Sequence, residues 1–89
     1  MLAPVYDRDG IVLYHGDCLD VMPLLLVTVD AVLADLPYGT TRNAWDKAID
    51  NKRMWAGLHG LMGPRSPACL FGTGMFSAEL VVSNRDEFR

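Results

Sequence analysis

The chain has 89 residues and a mass of 9.8 kDa, with 51% hydrophobic and 21% charged residues. That is the composition of one small globular domain, or of a piece of a larger one, and it excludes a disordered tail. The net charge of −3 argues against a chain that holds nucleic acid by itself.

The charge is unevenly spread. Residues 1–38 hold six acids (Asp7, Asp9, Asp17, Asp20, Asp30, Asp35) and one base (Arg8), whereas four bases (Arg42, Lys47, Lys52, Arg53) fall close together after them. Such a cluster is either a modest phosphate-binding patch or a solvated loop and helix face. Cys18 and Cys69 stand far apart with no metal-ligand spacing. Acids sit near the N-terminus where a signal peptide would have bases, so a reduced, cytoplasmic chain without a structural disulfide is expected. The longest uncharged apolar run, Val21 to Val29, is interrupted by Pro23 and falls well short of the roughly 20 residues of a membrane helix.

In chain order, Ile11-Val-Leu-Tyr14 reads as a short buried strand. Asp17 is placed to cap a helix through Leu19, Val21 and Met22, which Pro23 keeps short. Ala31-Val-Leu-Ala34 is a second buried strand, followed by Asp35-Leu-Pro-Tyr-Gly39 and a polar stretch too long for a tight connection. Asp50 caps a helix with Met54, Leu58, Leu61 and Met62 on one face, ended by Gly63-Pro64. Ala68-Cys-Leu-Phe71 is a third strand, and a last helix carries Phe76, Leu80 and Val81 on one face. The alternation predicts an α/β fold, a partial Rossmann-like sheet of about three parallel strands with crossover helices. Asp17, Asp35 and Gly72 then fall at the carboxyl ends of the strands, where such sheets gather ligands.

The stretch ending in Asp35-Leu36-Pro37-Tyr38 is the most informative. A carboxylate stands where a buried strand stops, followed by a rigid proline and an aromatic ring. Pro37 fixes one backbone angle and pushes Leu36 toward an extended conformation, so that the Leu36 carbonyl can face a cleft. A carboxylate and a carbonyl on one short arc can accept both hydrogens of a planar –NH₂ group while the ring stacks on its face. A base extruded from DNA is such a group.

Asp35-Leu36-Pro37-Tyr38 resembles the Asp-Pro-Pro-Tyr motif of amino-methylating DNA methyltransferases. Leu13-Tyr-His-Gly-Asp17-Cys18 upstream and Trp45-Asp46 downstream agree, as do Leu70-Phe-Gly72, Phe76-Ser-Ala-Glu-Leu80 and Ser83-Asn84. The likeness runs over about residues 11–88 and is strongest to adenine-specific enzymes of phage and prophage type with permuted motif order. It implies transfer of a methyl group from S-adenosylmethionine to the exocyclic amine of a flipped adenine in DNA. Asp35 and the Leu36 carbonyl would accept from that amine, Pro37 would stiffen the arc and Tyr38 would stack on the base. Asp17 and the Cys18 backbone would meet the cofactor's adenine, a role that coexists with plain N-capping by Asp17. Thr40, Thr41 and Arg42 would lie near DNA phosphate, and Trp45 either closes over the base or packs back on the fold. Leu36 departs from the family's first proline, which keeps the carbonyl and loses rigidity. The resemblance implies no metal site. His15 and His59 show no partner spacing, and Asp20 reads as a solvated first-turn acid.

On this likeness the chain is the N-terminal part of the catalytic domain. The Gly-rich cofactor loop (Phe-x-Gly-x-Gly) and the target-recognition region are not among its residues, and in permuted order they follow it. Two readings result: a catalytic part that works with the missing part in cis or in trans, or a non-catalytic remnant or interaction module with the same partial fold. Partners are then DNA, that C-terminal part and, through unpaired strand edges, a second copy of the chain. An unrelated nucleotide-binding fragment is the third reading, and the absence of a Lys-bearing phosphate loop counts against it.

Overall fold

A computed structural model describes residues 2–39 and 47–88. Strands β1 (Tyr6–Arg8) and β2 (Ile11–Leu13) form an antiparallel hairpin, with Tyr6 opposite Leu13, Asp7 opposite Val12 and Arg8 opposite Ile11. Asp9 and Gly10 turn the corner with φ of 58° and 77°. Two positive φ angles match the right-handed twist of the flanking strands, and Asp-Gly is a favoured pair for such a turn. This corrects the expectation for Ile11–Tyr14. The segment is a strand, but it pairs with the residues just before it, outside any parallel sheet, and Ile11, Val12 and Leu13 are exposed. A local turn closes a hairpin at far smaller entropic cost than a crossover to a distant strand.

Helix α1 (Cys18–Val21) follows, capped by Asp17, whose Oδ1 accepts from the Leu19 N–H at 2.9 Å. Pro23 sits in the 3-10 turn Met22–Leu24 that ends it. Strand β3 (Val32–Asp35) and strand β4 (Ala68–Phe71) then form a two-stranded parallel sheet with Val32 opposite Ala68 and Asp35 opposite Phe71. Helix α2 (Asn51–Leu61) connects them, and helix α3 (Gly74–Ser83) follows β4. The parallel part of the fold is therefore mixed α/β as expected, with two strands rather than about three.

Both helices cover the same face of the sheet. Leu36, Met54, Trp55, Leu58, Phe76 and Leu80 form the buried core, and the inward residues Val32, Ala34 and Leu70 pack against it. Trp55 widens the expected stripe of α2, and its Nε1–H donates to Ser83 Oγ at 2.8 Å, tying α2 to α3. Val81, expected on the buried face of α3, is 42% exposed. Among the described residues none covers the opposite face of the sheet, where Leu33 is 75% and Phe71 55% exposed, although helices cover both faces of parallel sheets in most α/β proteins.

Asp50 caps α2 by accepting from the Arg53 N–H at 3.1 Å. Asp50→Ala is expected to cost about 1 kcal/mol, the usual loss for a missing N-cap. A lower urea midpoint at unchanged slope checks it.

Candidate functional site at the end of the third strand

Asp35 is the last residue of β3, one residue later than the sequence predicts, and its side chain is exposed on the bare face of the sheet. The chain then turns inward. Leu36 is 8% exposed and belongs to the core, so its side chain has a packing role beyond the carbonyl considered from sequence. Pro37 and Tyr38 are half-buried.

The Tyr38 hydroxyl donates to Asp35 Oδ1 at 3.3 Å, and the Tyr38 ring lies against Phe76 of α3 with centroids 5.0 Å apart and planes tilted by 44°. Partial desolvation, the Asp35 charge and this hydrogen bond together raise the Tyr38 phenol above its ordinary value, so the hydroxyl stays protonated and able to donate. Gly39 completes the arc with a φ of 76°, and a Cβ there would stand 2.9 Å from the Ala48 backbone nitrogen. Only glycine accepts both that conformation and that approach.

Asp17 and Cys18 are exposed at the start of α1. The cap uses Asp17 Oδ1. Burial and the neighbouring Asp17 charge raise the Cys18 thiol, which leaves it protonated and makes it a poor nucleophile. No ladder connects this region to the β3–β4 sheet. Thr40, Thr41, Arg42 and Trp45, the candidate DNA contacts, lie outside the described residues, as does Asp46.

Two polar contacts were not legible in the sequence. Arg53 of the basic cluster reaches Asp20 Oδ1 at 3.3 Å, so Asp20 is ion-paired, and one of the four clustered bases is partly neutralised. Both side chains are largely exposed, which keeps the pair weak. His59, which showed no partner spacing, pairs with Glu87 at 3.0 Å, beside Trp55 and Phe88 whose rings meet edge-on. Each of these contacts joins segments far apart in sequence.

His59 and Asn84 hold the Glu87 carboxyl below its ordinary value. A depressed carboxylate contributes stability above its unfolded pKa and loses it as pH falls through the folded value. The 84–88 turn is therefore expected to loosen from α2 below the usual glutamate range. Trp55 fluorescence in a Trp45→Phe background should change across that acid window, and Glu87→Gln should remove the transition.

A cleft of about 730 Å³ lies along the turn after α2 and the start of β4, with Trp55, His59, Arg65, Ser66, Glu87 and Phe88 in its wall. It contains none of the described candidate site residues Asp17, Cys18 and Asp35–Tyr38. Its size suits a small ligand, but Ser66 Oγ is already engaged, accepting from the Gly63 N–H and donating to the Val29 carbonyl. The residues able to meet a planar amine stand at Asp35–Tyr38 instead. Among the described residues no group of three or more His, Cys, Asp or Glu side chains could hold a metal, and no helix is long and apolar enough to cross a membrane.

No family model, curated protein or solved structure matches the chain.

Proposed function

We propose that the chain is the catalytic-motif part of a DNA adenine methyltransferase that uses S-adenosylmethionine. The observation that carries this reading is the Asp35–Tyr38 arc, with an exposed carboxylate at the end of a parallel strand and an aromatic ring braced beside it. Asp35 and the Leu36 carbonyl accept from the exocyclic amine of a flipped adenine, which leaves the nitrogen lone pair less delocalised into the ring. Tyr38 stacks on the base, and Pro37 limits the motion of the arc. The cofactor, when bound, supplies the methyl group.

Asp17 and Cys18 fit the cofactor's adenine in donor and acceptor type, with a carboxylate oxygen outside the cap and a backbone N–H at a helix start. Both are open to solvent, so the rest of that pocket has to come from elsewhere. The bare sheet face favours the same conclusion. The chain exposes 7040 Å², against about 5,200 Å² for a compact monomer of its mass. That excess is also what supports the second reading, an interaction module with no turnover, and a second copy of the chain is a competing occupant of the same face.

The test is methyl transfer from labelled cofactor to unmethylated DNA, with and without a supplied polypeptide carrying Phe-x-Gly-x-Gly. Label on the adenine amine only when both are present is the expected result. Complex formation without any label would favour the interaction module.

A further inference from the structure

Beyond a stacking surface, Tyr38 has a second feature, its hydroxyl, which the base-binding role does not use. The hydroxyl engages one oxygen of Asp35, Oδ1, at 3.3 Å. An ionised carboxylate has two oxygens and about four lone-pair sites, so the other oxygen stays available to a ligand. An exposed aspartate at a strand end otherwise turns freely between rotamers, and freezing it on binding costs affinity.

The ring that carries the hydroxyl is itself held. Phe76 is 5% exposed and sits 5.0 Å from Tyr38 between ring centroids. It projects from α3, whose core residues Phe76 and Leu80 anchor that helix against α2 and the sheet. The order of support therefore runs from the core through Phe76 to Tyr38 and from its hydroxyl to Asp35. The bond is long for an O–H···O contact, which suits a group that steers a carboxylate without removing it from service.

We propose that Tyr38 is a positioning residue whose hydroxyl, with its ring braced by Phe76, turns the Asp35 carboxylate so that its second oxygen meets an N–H donor of the ligand. The ligand class is a planar base with an exocyclic amine, and this part of the inference rests on the function proposed above. The steering contact itself does not.

Two measurements decide it, the first of them on the 89-residue chain alone. In a background with Tyr6 and Tyr14 replaced by Phe, the Tyr38 phenol is titrated by phenolate absorbance with Asp35 intact and with Asp35→Asn. The phenol is expected to titrate above free tyrosine and to fall when the carboxylate is removed. The same high value in both proteins overturns the contact. Binding by the chain together with the supplied Phe-x-Gly-x-Gly polypeptide is then compared for two single-stranded oligonucleotides, one carrying adenine and one carrying purine, which has hydrogen in place of the amine. Tyr38→Phe keeps the ring, so purine affinity should hold while the preference for adenine falls roughly 2- to 10-fold.

An unchanged preference would mean that the hydroxyl is merely structural, and a raised one that it competes with the amine; either overturns the proposal. If the wild-type chain shows no preference for adenine while the phenol remains shifted, the base-binding reading fails and the positioning role fails with it. An unshifted phenol with adenine preference intact removes the positioning role alone.

Discussion

Replacing Asp35 by Ala is expected to abolish methyl transfer in any preparation of this chain that methylates DNA. The loss should reach about 10²–10³-fold or more, the scale of removing one preorganised hydrogen-bonding group from a reacting centre. Asp35 is exposed and its side chain belongs to no packed cluster, so stability should change by no more than about 0.5 kcal/mol. That separation gives the experiment its force, because lost activity cannot then be ascribed to lost fold. Labelled-methyl incorporation is the readout, with urea unfolding as the control. Asp35→Asn keeps one acceptor oxygen and should fall between wild type and Ala. Turnover of the Ala variant within a few-fold of wild type would falsify the assignment of Asp35.

The largest expected effect on stability belongs to Met54. It is 1% exposed, one turn into α2, and among the described residues it is the largest side chain that is fully buried. Truncation to Ala leaves a cavity under the sheet and is expected to cost about 2–5 kcal/mol. A chain of 89 residues has a total stability on the order of 5–13 kcal/mol at usual values per residue. Met54→Ala should thus remove from about a sixth to most of what holds the chain folded, read as a lower urea midpoint. Leu33→Ala is the contrast. Leu33 is as apolar but 75% exposed on the bare face, and its loss should be close to neutral. A large cost at Leu33 would show that the face is covered in solution, by a second copy of the chain or by another partner.

Leu36 lies between these two cases. Its carbonyl belongs to the proposed site, while its side chain belongs to the core. Restoring the proline of the resembling motif would stiffen the arc and at the same time remove a buried leucine. The two effects oppose each other at one position, which is why a reading of the motif alone foresees only the first.

The parts of this chain that the sequence by itself determined are those set by neighbours a few residues apart. Asp17 and Asp50 cap the helices predicted for them because capping acts over two or three residues. Pro23 shortens α1, and the spacing of Met54, Leu58 and Leu61 marks the buried stripe of α2. Strand β4 is where its apolar run places it, and β3 lies one residue further along than its run suggests. Asp9-Gly10 was equally local, and its turn chemistry outweighs the apolar run after it in deciding what Ile11–Leu13 pairs with. The tertiary structure alone decided which face of the sheet is covered, that Leu36 points into the core, and that Phe76 stands behind Tyr38. It also brought His59 to Glu87 and Arg53 to Asp20. Each of these joins residues that the chain must fold to bring together. Propensity and spacing do not encode them, because the free energy that selects them is burial shared among many side chains rather than a preference of any one.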